Sequence, residues 1–396
     1  MFVQNELARS LSCLRCGAEY EWGDYTAGCP SCLAQGFPAS LKIDYAADAA
    51  WSVDPKVRGM RRFADRLPYR TYPTLGEGDT PLVDLPDFAA EVEVGSLWLK
   101  NEGQNPTGSH KDRMSALVVA RAKEIGCTTV VAASSGNAGA SLAAYAAAAG
   151  LNCVVITTVQ MNPIWGQAVR STGAELVAAH DSLKRWSYMR KMVEEQGWYP
   201  ATNYLDPPTG SNPFGVQGYK TCGHELAESF AGAGLSAVVV PTSRGDLLWG
   251  IWQGLKEAQA AGWIQTVPRM YAVEPFGRLS RVLSGEDYRD HFSGDHANTE
   301  SIGGTTVTYQ SVHTLKESGG RAIDVNGGEA LRGQAELARR GLYVESSSAV
   351  VWEAVKKLKA SGEIGEADRV VMIGTSNGYK DNYFAQQPEM RVIDAE

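Results

Sequence analysis

The chain has 396 residues, of which 44% are hydrophobic and 9% aromatic, and its formal net charge is -8. This length suffices for two packed domains plus a small appendage, and the negative charge without a concentrated basic face argues against a nucleic-acid-binding protein. No apolar run approaches a membrane span and no signal-peptide pattern opens the chain, so we expect a cytoplasmic protein that acts on a small molecule.

Two closely spaced cysteine pairs lie near the start of the chain. The four residues are Cys13, Cys16, Cys29 and Cys32. The Cys-x-x-Cys spacing is typical of a tetrahedral zinc site with four thiolates, and such a site leaves the metal no position for catalysis. The pattern predicts a structural, zinc-ribbon-like segment over residues 1–45, and the alternative is reduced cysteines without metal.

A charged, linker-like region and a turn follow this segment. Residues 54–70 carry the sequence KVRGMRRFADR without a long apolar face. Residues 76–82, GEGDTPL, predict a turn followed by an extended segment, because the two glycines permit positive φ and the proline ends any helix.

The stretch from Leu99 to Arg113, LKNEGQNPTGSHKDR, delivers one lysine to the start of a predicted helix. An apolar strand ending leads into a polar turn, and Lys111 falls in the first turn of the helix that continues MSALVVARA. A cation is disfavoured at the positive end of the helix dipole, so a neutral amine or an imine suits this position better. A solvated surface lysine is the alternative interpretation.

From Cys127 onward, short apolar runs alternate with helical runs. TTVVAA, CVVITT, AELVAA, LSAVVVP, RMYAVEP, RAIDV and RVVMIG read as buried strands, and the segments between them carry helical periodicity. This alternation predicts an α/β fold with a largely parallel sheet and helices on both faces.

Three further strand-to-helix turns could bind a charged small molecule, because ligands gather at the carboxyl ends of parallel strands. Residues 134–139, SSGNAG, offer backbone N–H groups, hydroxyls and an amide for a carboxylate or phenolate. Residues 242–246, TSRGD, add a guanidinium and suit a phosphate, and residues 375–378 carry two hydroxyls. Helix capping is the simpler explanation for each turn taken alone.

The motif NPTGSHKDR at residues 105–113, with GEGDTPL before it and SSGNAG after it, resembles the fold-type-II pyridoxal-phosphate enzymes and, within them, threonine synthase. GLYVESSSA at 341–349 and TSNGYKD at 375–381 resemble later segments of that family. The resemblance implies a fold like the β subunit of tryptophan synthase, with two three-layer αβα domains and mostly parallel sheets. It divides the chain into a large cofactor-binding domain, 46–110 and 195–396, and a small α/β domain, 111–194. It also makes a homodimer the expected assembly.

The resemblance further implies roles for single residues. Lys111 matches the lysine that binds pyridoxal phosphate as an imine and then transfers protons, Asn137 matches the amide at the ring hydroxyl, and Thr375 matches the hydroxyl at the ring nitrogen. The resemblance assigns the binding of the cofactor phosphate to the loop formed by Thr242, Ser243, Arg244, Gly245 and Asp246. It assigns the binding of the substrate carboxylate to the loop formed by Ser134, Ser135, Gly136 and Ala138.

Several positions depart from the threonine synthase pattern. Glycine stands at position 215, where the family has an arginine that helps to hold the substrate phosphate, and Ala138 replaces a threonine. Both changes remove groups that would stabilise a dianion in a closed site. His110 replaces the more common aromatic residue before the lysine, and either packing or a second titrating group would explain it.

Three hypotheses follow for the function. The first is a lyase like threonine synthase, which converts O-phosphohomoserine to threonine. The second is a relative with a changed substrate, such as a serine or threonine dehydratase, an ammonia-lyase or a β-replacement synthase. The third is a non-catalytic protein whose working part is the cysteine segment.

Overall fold

The computed structural model describes residues 2–46 and 53–381. Its strands are β1 Val3–Gln4, β2 Ala8–Cys13, β3 Glu19–Glu21, β4 Leu41–Tyr45, β5 Tyr69–Thr71, β6 Leu82–Asp84, β7 Ser96–Asn101, β8 Thr129–Ala133, β9 Asn152–Thr158, β10 Glu175–Ala179, β11 Tyr199–Pro200, β12 Ala237–Pro241, β13 Arg269–Glu274, β14 Ala322–Asp324 and β15 Arg369–Gly374.

The α-helices are α1 Pro30–Ala34, α2 Pro86–Glu91, α3 Lys111–Glu124, α4 Asn137–Ala149, α5 Pro163–Ser171, α6 Ser182–Gln196, α7 Pro213–Val216, α8 Lys220–Ser229, α9 Asp246–Ala260, α10 Leu279–Leu283, α11 Tyr309–Ser318, α12 Gly327–Ala338 and α13 Ser346–Ala360. Short 3-10 helices cover Gly59–Arg66, Glu102–Gln104, Gln217–Tyr219, Glu300–Ile302 and Gly378–Lys380.

Two sheets with parallel strands form the body of the protein. One has four strands in the order β10-β9-β8-β11, and all its pairs are parallel. The other has six strands in the order β14-β13-β12-β15-β7-β6, and only its edge pair β6-β7 is antiparallel. The predicted α/β class with largely parallel sheets is confirmed. Because β11 pairs with β8, the four-stranded sheet extends past residue 194, where the sequence analysis placed the end of the small domain.

The N-terminal segment has a small sheet of its own. Strands β3, β2 and β4 pair antiparallel in that order, and the short helix α1 lies between β3 and β4 in the chain. This sheet uses residues 8–45 alone, so its backbone pairing needs no strand from the rest of the chain.

The central strands are buried on both faces, which explains their continuous apolar runs. Every residue of β12 is buried, and β13 and β15 are buried after their first residue. Helices α8 and α9 pack on one side of the six-stranded sheet, and α12 and α13 pack with one another on the other side. Within residues 2–46 and 53–381, no helix has both the length and the apolar character needed to span a lipid bilayer.

The topology brings the carboxyl ends of three neighbouring strands together. Strand β15 pairs in parallel with β7 on one side and with β12 on the other. The turns that follow these three strands carry Lys111, Thr375 and the loop 242–246. These turns therefore lie at one edge of the six-stranded sheet.

Candidate active site

The turn that precedes Lys111 is fixed by buried contacts. The Asp112 carboxylate accepts hydrogen bonds from the backbone N–H of Thr107 at 2.7 Å and from its hydroxyl at 2.5 Å. Arg113 is fully buried and pairs with Glu102 at 2.7 Å. Removing either partner of such a pair would leave a costly unpaired charge, so these contacts hold the start of α3 in one position.

Lys111 is half-buried and its Nζ lies 3.4 Å from the hydroxyl of the fully buried Tyr219. Burial lowers the pKa of Lys111 to about 8. The Arg244 charge lowers this pKa further, while Asp246 and Glu345 oppose the shift. A large fraction of the amine is therefore neutral in mildly basic solution, and the neutral form is the one that attacks a carbonyl.

Asn137 opens helix α4 and is held by three groups. Its Nδ2 donates to the Glu345 carboxylate at 2.8 Å, and its Oδ1 accepts from the Ser376 hydroxyl at 3.1 Å and from Lys380 Nζ at 3.0 Å. An amide nitrogen carries two hydrogens, so one donor remains for a further acceptor. Burial lowers the pKa of Lys380 to about 8.

Thr375 follows β15 and is linked to the lysine turn through His110. The Thr375 hydroxyl lies 2.6 Å from the Ser348 hydroxyl, and its carbonyl accepts from the His110 backbone N–H at 3.0 Å and lies 3.2 Å from the ring Nδ1. Burial, reinforced by the Lys111 charge, lowers the pKa of His110 well below its usual value. The neutral ring can donate from Nδ1 to this carbonyl, which gives His110 a positioning role.

The two serine hydroxyls of the loop at the start of α4, those of Ser134 and Ser135, make different contacts. The Ser134 hydroxyl accepts from the backbone N–H groups of Gly136 at 3.2 Å and Gly139 at 3.0 Å, so it shapes the loop. The Ser135 hydroxyl instead accepts a hydrogen bond from Nη1 of Arg185 at 3.0 Å. This contact adds a guanidinium to the loop.

The backbone of the loop 242–246 requires glycine at one position. Gly245 has φ +81°, and a Cβ there would lie 2.4 Å from Cβ of Ser311. The hydroxyls of Thr242 and Ser243 donate to backbone carbonyls at 2.8 and 2.9 Å. These hydroxyls are therefore occupied in holding the loop.

The two charged side chains of this loop differ in what they offer to a ligand. The Asp246 carboxylate accepts from the Ser211 backbone N–H at 3.1 Å, from the Ser211 hydroxyl at 2.7 Å and from the Gln310 amide. Arg244 Nε is buried and has no hydrogen-bond partner within the described residues, and its guanidinium lies 5.6 Å from the Trp186 ring centroid. An unpartnered buried donor at the amino end of the 15-residue helix α9 fits a phosphate group.

Gly215 lies where the resemblance expects an arginine, and the structure leaves no room for a side chain there. A Cβ would lie 2.5 Å from Val118 Cγ2 and 2.8 Å from Met114 Cγ, both on helix α3. Ala138 is half-buried in the first turn of α4 and supplies no hydroxyl. The structure therefore has neither the arginine expected at position 215 nor the threonine hydroxyl expected at position 138.

The four N-terminal cysteines also lie together. Their Sγ atoms are all within 4.8 Å of one another, and the residues are Cys13, Cys16, Cys29 and Cys32. The Sγ atoms of Cys13 and Cys32 are 3.7 Å apart, and so are those of Cys16 and Cys29. A tetrahedral site with zinc–sulfur bonds of about 2.3 Å places its sulfurs roughly 3.8 Å apart, so the cluster fits a zinc ion.

The structure thus joins the predicted turns through named contacts and adds side chains that the sequence reasoning did not assign. Ser376 contacts Asn137, His110 contacts Thr375, and Arg244 influences the pKa of Lys111. The added residues are Arg185, Tyr219, Glu345 and Lys380. Glu345 and Lys380 fall inside the sequence segments that carried the family resemblance, whereas Tyr219 and Arg185 lie outside them.

Comparisons with known proteins show which family the chain is similar to. Residues 73–376 match the family described as pyridoxal-phosphate dependent enzyme. The chain is 30% identical to threonine synthase of Methanocaldococcus jannaschii over 93% of this chain and 92% of that protein. It is 31% identical to threonine synthase of Halalkalibacterium halodurans, over 78% of this chain and 84% of that protein.

Two solved structures share the fold at low sequence identity. Diaminopropionate ammonia lyase from Escherichia coli, solved in complex with D-serine, has a TM-score of 0.68 and 16% identity over 84% of this chain and 92% of that chain. A fungal L-serine ammonia-lyase from Rhizomucor miehei has a TM-score of 0.65 and 21% identity over 78% of this chain and 95% of that chain.

Proposed function

Because the chain belongs to the pyridoxal-phosphate dependent enzyme family, we propose that it is a lyase resembling threonine synthase, acting at the β and γ carbons of an amino acid. The substrate we propose first is O-phosphohomoserine, with threonine as the product. The observation that carries the proposal is Lys111: a half-buried lysine with a pKa near 8, set among the turns that hold Asn137, Thr375 and Arg244.

We propose that this chain's side chains hold the cofactor as follows. Lys111 binds it covalently, the remaining N–H of Asn137 donates to the ring hydroxyl, and Thr375 faces the ring nitrogen. The loop 242–246 takes the phosphate, with Arg244 and the backbone N–H groups at the start of α9 as donors. The unpartnered Nε of Arg244 supports this assignment.

The chemistry then divides between the cofactor and the protein. Pyridoxal phosphate, when bound, supplies a ring that stabilises negative charge at the substrate α-carbon. Lys111 takes the α-proton and moves protons at later positions, for which a pKa near the working pH is suited. The Thr375 hydroxyl, already in contact with Ser348, would face the ring nitrogen in place of a carboxylate. Without a negative charge beside it the ring nitrogen is not kept protonated, which favours elimination and replacement over transamination.

We propose that residues 134–138 receive the substrate carboxylate. The Ser134 hydroxyl orients the loop through the N–H groups of Gly136 and Gly139, so this backbone is ordered before substrate arrives. A preorganised loop lowers the entropy lost on binding.

A second candidate function is supported by Gly215 and Ala138. Both residues lack a group that would hold a substrate phosphate, and Met114 and Val118 leave no space for a larger residue at position 215. A serine or threonine dehydratase, an ammonia-lyase or a β-replacement synthase would not need those groups.

One assay separates the two candidates. The purified, cofactor-loaded protein is incubated with O-phosphohomoserine, and released phosphate and threonine are measured. In parallel, keto-acid formation from serine and from threonine is followed. We expect phosphate release to exceed keto-acid formation. The reverse ratio would establish the changed-substrate enzyme instead.

We also propose that the four clustered cysteines bind a structural zinc ion. The sulfur separations of 3.7 Å and the backbone N–H of Cys32, which donates to Cys29 Sγ at 3.4 Å, support this proposal. None of the seven cysteines forms a disulfide, which suits a reducing compartment such as the cytoplasm.

The proposed assembly is a homodimer, on the strength of the fold-type-II resemblance, and light scattering on the purified protein measures it. The net charge of -8 supports a small-molecule substrate rather than a nucleic acid. The division into a large domain, 46–110 and 195–396, and a small domain, 111–194, remains a prediction.

A further inference from the structure

Two arginines from different layers of the protein lie at the candidate site, close enough for their charges to interact. Arg185 lies in the first turns of α6, beside the four-stranded sheet, and Arg244 lies in the loop between β12 and α9. The Nε atom of each guanidinium is buried, and neither Nε has a hydrogen-bond partner within the described residues. Burial and the charge of Arg244 lower the pKa of Arg185.

The buried arginines among the described residues have carboxylate partners. Arg113 pairs with Glu102 at 2.7 Å, and Arg278 pairs with Glu274 at 3.3 Å. By contrast, no ion pair joins Arg185 or Arg244 to a carboxylate in the part of the chain that the structure describes. Two neighbouring, half-buried cations repel each other and lose part of their hydration, and an anion between them relieves both costs.

The two guanidiniums belong to the same site as the lysine. Arg185 donates through Nη1 to Ser135, in the loop proposed to receive the substrate carboxylate. The Arg244 guanidinium contacts the ring of Trp186, the residue that follows Arg185, and the charge of Arg244 lowers the pKa of Lys111. Arg185 therefore lies between the carboxylate loop and the proposed cofactor-phosphate loop.

The usual partner for a substrate phosphate is missing elsewhere in the site. The arginine that the family resemblance expects at position 215 is a glycine, and Met114 and Val118 occupy the space that its Cβ would need. If the substrate carries an anionic group on its side chain, another cation has to compensate that charge.

We propose that Arg185 binds this anionic group, a phosphate or a carboxylate on the side chain of the amino-acid substrate, while Arg244 serves the cofactor phosphate. The proposal rests on the proposed function and names the substrate class of that site. One Nη1 hydrogen bond holds Arg185 against Ser135, and the Nε edge of the guanidinium is left to form the paired contacts that suit phosphate and carboxylate oxygens.

The test compares Arg185→Gln with the wild type on charged and uncharged substrates, using cofactor-loaded protein. We expect KM for O-phosphohomoserine to rise by about 10- to 100-fold with kcat changed less than about threefold, since a buried charged contact is lost. KM for serine, which has no charge on its side chain, should rise much less, by what the loss of the Arg185–Ser135 hydrogen bond costs. Arg190→Gln is the matched control, because Arg190 lies on the same helix, is exposed and pairs with Glu194.

A binding measurement complements the kinetics. Inorganic phosphate is titrated into each variant by calorimetry, and we expect its affinity to fall about tenfold or more in Arg185→Gln and to be unchanged in Arg190→Gln. Carboxylate-bearing and phosphate-bearing substrate analogues, tested as competitors, identify which anion the site prefers.

The outcomes separate this inference from the proposed function. If the wild type releases phosphate from O-phosphohomoserine and Arg185→Gln behaves identically, the role of Arg185 is wrong and the function stands. If the wild type acts only on serine or threonine, whose side chains are uncharged, both the proposed substrate and this role of Arg185 are wrong. If it acts instead on an amino acid with a side-chain carboxylate and Arg185→Gln raises the KM for that substrate, the substrate of the proposed function is wrong and the role of Arg185 stands. Loss of cofactor from Arg185→Gln on dialysis would overturn the inference, because Arg185 would then hold the cofactor phosphate.

Discussion

At the scale of single residues, Lys111 shows how surroundings change an ordinary amine. Its Nζ contacts the phenol of Tyr219 rather than a carboxylate, and burial lowers its pKa to about 8. A surface lysine keeps a pKa near 10.4 and is almost fully charged at neutral pH. Burial therefore makes the neutral amine available without a dedicated base.

We expect Lys111→Ala to abolish turnover and leave the fold intact, because the amine that binds the cofactor and moves protons is removed. Absorbance near ~410 to 420 nm, typical of the lysine imine of pyridoxal phosphate, should also disappear. Lys191→Ala, at an exposed position on α6, is the control and should keep both properties. Unchanged kcat in Lys111→Ala would remove this lysine from its proposed role.

The pKa of Lys111 predicts how cofactor uptake depends on pH. When pyridoxal phosphate is added to the apoprotein, the rate of imine formation should rise with pH as the amine loses its proton, with a midpoint near 8. Stopped-flow absorbance between pH 6.5 and 10.5 measures this rate. A midpoint above 10 would show that the amine behaves as a solvated lysine.

The sequence could predict that Lys111, Asn137 and Thr375 lie in or next to turns that follow apolar strands, because apolar runs and turn residues are local signals. Arg185 could not be predicted, since α6 carries several basic residues and only the folded chain shows which of them lies against Ser135. The packing at Gly215 was equally hidden, because Met114 and Val118 precede it by about a hundred positions.

At the scale of elements, the loop between β12 and α9 combines a constrained backbone with a charged side chain. Gly245 adopts φ +81° beside Ser311, and the loop carries Arg244 with its buried, unpartnered Nε. The alternation of strands and helices was predictable because hydrophobic period is a local property. The division into two sheets was not predicted from periodicity, since strand partners depend on contacts distant in sequence.

Gly245→Ala should destabilise the protein and weaken cofactor binding, because the new Cβ meets Ser311 at 2.4 Å in addition to the strain of positive φ. Gly262→Ala is the matched control: it has φ +78° just after the same helix, with nothing within 4 Å of the new Cβ. The control should cost only the strain, about 1–2 kcal/mol. Urea unfolding and cofactor titration measure both effects, and equal losses in the two variants would refute the steric argument.

Arg244→Ala should weaken cofactor retention, because it removes the buried charged donor of the loop. The fraction of cofactor that remains after extended dialysis, read from absorbance, checks this expectation. Full retention would place the phosphate contact elsewhere.

At the scale of the whole molecule, the N-terminal segment bridges regions that belong to different sheets. The hydroxyl of Tyr199 on β11 donates to Asp24 at 3.0 Å, and the hydroxyl of Tyr288, beyond α10, donates to the carbonyl of Pro38 at 3.2 Å. The cysteine cluster lies within this segment. The zinc-ribbon spacing predicted the cluster, but its attachment to both regions required the structure.

Cys32→Ser should remove the bound metal and lower thermal stability without changing the chemistry at Lys111, because thiolate ligands hold structural zinc and contribute directly to folding. Elemental analysis should find about one zinc per wild-type chain. Cys127→Ser, which lies outside the cluster, is the control and should keep its metal. Equal metal content in both variants would exclude the four-thiolate site.

The attachment of the N-terminal segment has a consequence for the order in which the protein is made. Translation delivers residues 2–46 before their anchors near positions 199 and 288, which leave the ribosome much later. The pairing of β3, β2 and β4 is internal to residues 8–45, but the buried side chains of the segment, Leu11 and Ile43 among them, belong to the same hydrophobic core as helices α3 and α9. The packing of the segment is therefore completed only after those later helices have been made.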